Sequence, residues 1–498
     1  MALARTTGGA TRRRMRPRTR AAMIRAAAMP VAVMFGLVAA VNPKLALIGL
    51  IGMAAVGVCV PRGDIAVAAF AAATYFDVVG SSAISPIKML GGVVVLSAGL
   101  LLLVPGRRDR LRVGTWQHHP VIGACALALA IWALASASWA VDIGQVRMNG
   151  TRLITDVLIL FAIPLLVRRA RDLRVIGWWI VGASLVGAAA GRALGTEMGG
   201  RAVGMFADPN EFATATVVGA AFALALGESS GRSFPRWIGR IAACLALVAM
   251  VTSGSRSGVV AFVVAFAVLL FTARGVERVR LAGLGSVAVA AAAAWLVLSP
   301  AGAAVIDRLG DNDSSGRADL WRVARYQFQD EPVHGVGLGN YPVVSIEYLR
   351  RDVANIDQFI RMPRTVHNTP LELLAELGMV GFTAFYAMVF GCLAVLRSAL
   401  RRARLLGDEH LVGATRGVAA GLGALLAASL TLSGLYVELQ WILFGACIAV
   451  AGIVRLRTAE ARIEEAELDA DLLNPGLEPA IAPGYAAPPA QLTPASRA

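Results

Sequence analysis

Cysteine and charged residues are both scarce in this chain of 498 residues. Charged residues make up 16% of it and hydrophobic residues 57%, and the mean hydropathy is +0.66. A soluble domain is far less apolar, so the composition indicates a polytopic membrane protein. The five cysteines lie inside apolar segments without the paired spacing of a disulfide framework or a zinc site, so neither is predicted: Cys59, Cys125, Cys244, Cys392 and Cys447.

Apolar runs of membrane-spanning length recur along nearly the whole chain. They predict an all-α, polytopic transmembrane helical bundle of about 12–14 spans. The predicted spans lie near 25–41, 44–61, 64–80, 88–105, 120–138, 149–167, 174–190, 211–228, 237–253, 257–273, 281–299, 370–396, 413–432 and 434–454.

Arginines cluster in the short loops on one side of these spans. The positive-inside rule places that side, and with it both termini, in the cytoplasm. The net charge of +15 therefore follows from membrane topology and does not predict nucleic-acid binding. The clusters are Arg12 to Arg20, Arg107 to Arg112, Arg168 to Arg174, Arg232 to Arg240, Arg274 to Arg280, Arg397 to Arg404 and Arg455 to Arg462.

One long polar loop interrupts the apolar pattern. Its arginines are matched by acids and it is long enough to escape the charge rule, so we expect it outside the cytoplasm. The predicted organisation is a cytoplasmic Arg-rich N-terminus (1–24), the first part of the bundle (25–299), the large extracytoplasmic loop with short helices (300–369), the last part of the bundle (370–454) and a cytoplasmic, partly disordered tail (455–498).

Three patterns occur within this loop. A helical stripe of Leu320, Trp321, Ala324 and Phe328 predicts an amphipathic helix that lies on the membrane or caps the bundle. The glycine-rich stretch 335–341 lacks dinucleotide-binding spacing and predicts a flexible loop or a close backbone approach to a ligand. Two alternating acids resemble part of a calcium loop but lack its distal glutamate, so no metal site is predicted: Asp311 and Asp313.

The helix that follows the loop has a strong start signal. Thr369 with Glu372 reads as a capping box, with Pro370 at the first helical position. His367 then lies just outside a helix N-terminus, whose positive dipole end disfavours protonation of the imidazole and attracts anions. The pattern predicts a general base beside an anion site.

Two further helix starts face the same predicted side. Asp208 is a predicted N-cap before Pro209, with Arg201 seven residues upstream. The tight turn 253–258 holds Arg256 at the membrane boundary. If the three helices are neighbours, their N-termini and two arginines converge on a site suited to a phosphate-rich ligand.

Each of these residues also has an ordinary explanation. Asp208 and Thr369 are expected to be caps whatever the function, Arg256 could snorkel to the interface, and His367 could be an interfacial histidine. The combination favours a site, because the other histidines lie in predicted cytoplasmic loops or in the glycine-rich part of the outer loop: His118, His119, His410 and His334.

Over roughly residues 195 to 395 the chain resembles the O-antigen ligase and polymerase family of bacterial membrane glycosyltransferases. The resemblance rests on the order of its motifs: Arg201 with Gly204 and 208–210, the turn 253–258, Arg317 with Trp321, 332–339, and His367-Asn368 followed by Glu376-Leu377-Gly378. It implies transfer of a glycan from a polyprenyl diphosphate to an acceptor hydroxyl at the outer face of the cytoplasmic membrane, without a cofactor.

Carried over to this sequence, the resemblance implies a role for each motif residue. His367 would be the general base, and Arg201, Arg256 and Arg317 would hold the donor diphosphate, with Arg317 the weaker candidate. Four residues would support them: Asp208, Asn210, Asn368 and Glu376. No carboxylate cluster has a metal arrangement, so the expected mechanism is metal-independent. The partners would be the lipid-linked donor, a glycan or lipid acceptor, and the bilayer.

The acceptor is not encoded in any motif. It separates a ligase from a polymerase, and the Ala-, Gly- and Arg-rich composition favours a polymerase-like activity. A transporter or exporter of envelope precursors is the alternative, but it predicts repeated halves and polar residues in mid-membrane, whereas the polar residues here gather at one face. A scaffold protein would not require Arg201, Arg256 and His367 together.

Overall fold

The computed structural model describes residues 57, 62–78, 85–103, 116–298, 317–351 and 365–473. The predicted span 25–41 lies outside these ranges, and so does the predicted span 44–61 apart from residue 57. Residues 474–498 of the predicted tail also lie outside them. Within them the fold is an all-α polytopic bundle, as predicted. The only strands in the described ranges form a short hairpin, β1 (Glu197–Met198) and β2 (Arg201–Ala202), paired antiparallel.

Fourteen α-helices make up the described part of the chain. They are α1 (Gly63–Ala73), α2 (Pro86–Leu103), α3 (Pro120–Ala135), α4 (Ile143–Leu166), α5 (Ala170–Leu194), α6 (Pro209–Glu228), α7 (Ser233–Thr252), α8 (Arg256–Thr272), α9 (Gly275–Leu298), α10 (Arg317–Asp330), α11 (Tyr341–Arg351), α12 (Thr369–Leu405), α13 (Glu409–Ala428) and α14 (Glu438–Leu473). Two 3-10 turns flank α3, at Trp116–His118 and Ser136–Ser138.

Nine helices of the described ranges are long and apolar enough to cross a membrane: α2 to α7 and α12 to α14. The predicted spans 64–80 and 257–273 correspond to the shorter apolar helices α1, of 11 residues, and α8, of 17 residues. α14 continues beyond residue 454 to Leu473, so the first part of the predicted tail is helical.

Helix α6 lies at the centre of the bundle. Every residue of α6 except Glu211 is buried. Small residues allow its neighbours to approach closely, since Gly219 meets Ser184 of α5 and Gly227 meets Gly239 of α7. The starts of α6 and α8 lie together at one end of this core, because Ser255 before α8 donates a hydrogen bond to Asn210 at the start of α6.

Two ion pairs lie near the C-terminal ends of α6 and α8, away from these helix starts. Glu228, the last residue of α6, binds Arg240 of α7 at 2.6 Å. Buried Arg416 of α13 pairs with Glu277 of α9 and donates to the carbonyl of Leu269 in α8 at 2.9 Å. Arg240 belongs to the predicted cytoplasmic cluster 232–240, whereas Arg416 lies outside all of the predicted clusters.

Helix α12 is broken at Gly378, where φ is 62° and ψ is −164°. The loop after α10 packs against this break. Val336 donates its backbone N–H to the carbonyl of Ala375 and Gly337 donates to that of Glu376, both at 2.9 Å. The glycine-rich stretch thus makes the close backbone approach that the sequence suggested, but the group it approaches is α12 rather than a ligand.

We expect Gly378→Ala to lower the melting temperature of the detergent-solubilised protein. Its φ lies in the region that favours glycine, an added Cβ would collide with the carbonyl of Val333, and a strained residue of this kind costs about 1–3 kcal/mol. Gly182→Ala is the matched control, because nothing lies near its missing Cβ. Equal melting temperatures for the two variants would contradict the described break.

Candidate functional site

Helix α6 begins with the N-cap that the sequence predicted, Asp208. The Asp208 carboxylate accepts the backbone N–H of Asn210 at 2.7 Å and that of Glu211 at 3.3 Å, with Pro209 next to it in the first turn. This cap holds Asn210 in a buried position, 7% exposed, where its side-chain oxygen faces the turn between α7 and α8.

Arg201 and the α7–α8 turn meet at Asn210. The Asn210 oxygen accepts a hydrogen bond from Arg201 Nη2 at 3.1 Å and one from Ser255 Oγ at 2.7 Å. Arg201 Nε also donates to the carbonyl of Ser253 at 2.7 Å. Arg201 therefore joins the β-hairpin to the starts of α6 and α8.

Arg256 is the first residue of α8 and is exposed at the bundle end. Ser255 caps this helix by accepting the N–H of Gly258 at 3.1 Å. The guanidinium of Arg256 thus projects from a helix N-terminus whose backbone is anchored to α6 through Asn210.

Arg317, the first residue of α10, belongs to the same group of charges. Burial lowers the pKa of the half-buried Arg317 guanidinium, the nearby Asp208 carboxylate raises it, and Arg256 lowers it. Arg317 and Arg256, from segments distant in sequence, thus contribute positive charge to the same end of the bundle. Charge-assisted hydrogen bonds from arginines stabilise bound anions.

Helix α10 caps the outer-loop side of the bundle. Its buried residues are Asp319, Leu320, Val323, Ala324 and Gln327, whereas Trp321 and Phe328, which we predicted on the apolar stripe, are half-buried. The Trp321 indole N–H donates to the carbonyl of Val366 at 3.2 Å, directly before His367.

His367 lies in a turn with unusual geometry. Its φ is 50°, and its backbone N–H donates to Ser433 Oγ at 3.2 Å. The imidazole Nε2 lies 3.4 Å from the hydroxyl of Thr365, and the side chain is half-buried. The ring therefore stands at the start of α12 with access to the bundle end.

The predicted capping box of Thr369 and Glu372 is wrong. Asn368 is the N-cap and accepts the N–H of Leu371 at 3.0 Å. The Thr369 hydroxyl instead donates to the carbonyl of Leu432 at 2.8 Å and accepts the N–H of Gly434 at 2.7 Å. These tertiary partners outcompete the local cap.

Sequence reasoning missed the segment between α13 and α14, residues 429–437. Its Thr431 hydroxyl donates to Ser257 at the start of α8 at 2.7 Å, and its Leu430 carbonyl accepts the side-chain N–H of Asn368 at 2.8 Å. The segment thus connects the starts of α8 and α12. The predicted spans 413–432 and 434–454 left only residue 433 between them, although the Ser, Thr and Gly residues of this segment are typical of a turn.

Glu376 supports the outer loop rather than the arginines. Its buried carboxylate accepts the backbone N–H groups of Gly339 at 2.7 Å and Tyr341 at 3.3 Å, at the start of α11. His334 lies apart, with its Nε2 3.2 Å from Glu331 and its ring beside Trp139.

The structure therefore connects the starts of α6, α8 and α12 through side-chain hydrogen bonds at one end of the bundle. Arg256 begins α8 at this end, and α10, which begins at Arg317, is joined to the turn of His367 through Trp321 and the carbonyl of Val366. Among the described residues, no group of three or more His, Cys, Asp or Glu could hold a metal ion. Asp311 and Asp313 lie outside the described ranges.

Residues 241–386 match the family model described as O-antigen ligase. These residues form an O-antigen ligase family domain. Over these residues the match confirms the predicted family, and it supports a membrane glycosyltransferase function. No curated protein matches the chain.

The O-antigen ligase domain extends from within α7 to the first half of α12. It contains Arg256, Arg317 and His367, whereas Arg201 and Asp208 precede it. The elements before and after the domain complete the bundle end, because α6 and the segment 429–437 bind its helix starts.

Proposed function

We propose that the protein transfers a glycan from a polyprenyl diphosphate to an acceptor hydroxyl at the outer face of the bacterial cytoplasmic membrane. One observation carries this proposal. Helix α10 begins at Arg317, whose pKa is lowered by burial, raised by Asp208 and lowered by Arg256, and one turn later its Trp321 donates a hydrogen bond to the carbonyl of Val366, the residue before His367. A cation pair and a basic ring are thereby connected through a single short helix.

The cation pair suits the leaving group of this reaction. Cleavage of a sugar–diphosphate bond places growing negative charge on the diphosphate. Arg256 and Arg317 stabilise that charge more than they stabilise the ground state, which lowers the barrier. Arg201 adds its positive charge and, through Ser253 and Asn210, holds the turn from which Arg256 projects.

His367 supplies the base for the acceptor. Its imidazole takes the proton from the attacking hydroxyl. The hydroxyl oxygen then attacks the sugar carbon as the diphosphate leaves. The proposed mechanism uses these side chains alone, without a metal or a cofactor, and Asn368 and Asp208 support it as caps.

The acceptor that we favour is a second lipid-linked glycan, which makes the activity polymerase-like. The test is reconstitution of the full chain in proteoliposomes with a polyprenyl-diphosphate oligosaccharide. Lengthening of the glycan on donor alone supports polymerisation, and transfer only after another envelope lipid or glycan is added supports a ligase. Movement of donor across the bilayer without transfer would contradict both and favour the transporter.

The orientation of the site has a separate test. Leu430 is 52% exposed beside Asn368, whereas Leu405 is 88% exposed at the far end of α12. In a variant without native cysteines, we expect a membrane-impermeant maleimide to label Leu430→Cys in right-side-out vesicles. Leu405→Cys should react only after detergent opens them. The reverse pattern would place the site in the cytoplasm.

A further inference from the structure

The segment 429–437 continues directly from α13, which packs against both α8 and α12. Its first residues turn back on the end of that helix. Leu430 donates its backbone N–H to the carbonyl of Ala427 at 3.3 Å, and Thr431 donates to that of Ala428 at 2.9 Å. The segment therefore begins as a tight turn that holds the Thr431 side chain in place.

Hydrogen bonds join this segment to the start of α12. The Thr369 backbone N–H donates to the carbonyl of Ser429, and its hydroxyl donates to that of Leu432, both at 2.8 Å. The His367 N–H donates to Ser433 Oγ at 3.2 Å. Since Thr369 is fully buried, the segment and the turn of His367 form one packed unit.

One side chain joins the same segment to the helix that begins at Arg256. The Thr431 hydroxyl donates to Ser257 Oγ at 2.7 Å, and Ser257 is 1% exposed. Ser257 follows Arg256 directly, and the turn before them is bound to α6 through Asn210. The start of α8 is thus attached to α6 by one contact and to the unit of His367 by another.

We propose that Thr431 and Ser257 are positioning residues that fix the start of α8 relative to the turn of His367. This inference rests on the proposed roles of Arg256 and His367, which must act on one sugar carbon. In such a reaction a displacement of about 1 Å costs about 10²-fold in rate. Thr431 lies beyond the matched residues 241–386, so the family match assigns it no role.

The first test is kinetic. Thr431→Val removes the hydroxyl, and we expect kcat to fall by about 10–100-fold as the base shifts relative to the donor. The donor KM should change little, because the contact between Ser255 and Asn210 still holds the start of α8. Thr431→Ser keeps the hydroxyl and should restore the rate. Wild-type kcat for Thr431→Val, or a serine variant as slow as the valine variant, would overturn the proposal.

Thr415→Val is the matched control. Thr415 lies in α13 and is fully buried, and its hydroxyl donates to the carbonyl of Leu411 in the same helix at 2.7 Å. This variant should keep wild-type kcat. An equal loss of kcat at both positions would show a general effect of removing a hydroxyl from this part of the bundle, and would overturn the positioning role.

The second test replaces the hydrogen bond by a covalent bond. Thr431→Cys and Ser257→Cys are combined in a variant without native cysteines and oxidised with copper phenanthroline, because hydroxyl oxygens 2.7 Å apart bring the two side chains within reach of a disulfide. The oxidised protein should have near wild-type kcat. Dithiothreitol should lower it by about 10–100-fold without affecting the cysteine-free parent. Failure to form the disulfide, or equal kcat in both redox states, would contradict the proposal.

A His367→Ala background separates this proposal from the proposed function. There Thr431→Val should cause no further loss of kcat, because no base remains to be positioned. A further loss would overturn the positioning role. Wild-type kcat for His367→Ala itself would instead overturn the proposed base.

Discussion

Replacement of His367 by alanine is expected to lower kcat for glycan transfer by about 10²–10⁴-fold, which is the contribution of a positioned general base. The variant should insert normally, since the imidazole is half-buried at the bundle end and the capping of α12 depends on Asn368. The donor KM should change little, because the diphosphate binds to the arginines. The measurement is the initial rate in proteoliposomes with a radiolabelled lipid-linked donor.

His334→Ala is the control for this experiment. His334 lies in the same outer loop, half-exposed beside Glu331 and Trp139, and takes no part in the proposed chemistry. Its variant should keep wild-type kcat. Full activity in His367→Ala would show that the acceptor hydroxyl needs no base at this position.

Loss of either arginine is expected to have an effect of similar size. Arg256→Ala and Arg317→Ala should each lower kcat/KM by about 10²–10³-fold, the usual result of removing one preorganised group that stabilises transition-state charge. The effect should appear partly as weaker donor binding, because the diphosphate is charged before the bond breaks. Arg256→Lys should also be slow, since lysine lacks the bidentate fork of arginine.

Arg192→Lys provides the matched control for Arg256→Lys. Arg192 is exposed near the C-terminus of α5, beside the β-hairpin, and no role in donor binding is assigned to it. Rates and donor affinity should be unchanged in that variant. If Arg256→Lys and Arg256→Ala both bound donor with wild-type affinity, Arg256 would be an interfacial arginine that only snorkels to the membrane surface.

Local chemistry in the sequence predicted the helices and some of their caps. Apolar runs gave the spans, and the Asp-Pro pair at 208–209 gave the start of α6, because both signals act within a few residues. The cap of α12 failed for the opposite reason. The Thr369 hydroxyl binds Leu432 and Gly434, more than sixty positions away, and no local rule includes such partners.

The same distinction holds at the candidate site. The sequence identified Arg256 and His367 individually but ranked Arg317 lower, because α10 carries no local sign that the charges of Asp208 and Arg256 influence its first residue. It assigned Glu376 a supporting role, and the structure shows that carboxylate accepting the backbone N–H groups of Gly339 and Tyr341 in the outer loop. The segment 429–437 was missed because its role lies in its partners, Ser257 and Asn368.

The central claim is that two guanidinium groups and one imidazole face a single lipid-linked substrate. A cryo-electron microscopy structure of the full chain with a non-cleavable donor analogue tests it most directly. We predict that the diphosphate lies between Arg256 and Arg317, with the His367 ring on the side of the sugar carbon where an acceptor hydroxyl would arrive. A diphosphate bound elsewhere in the bundle, or one facing away from His367, would contradict the proposal.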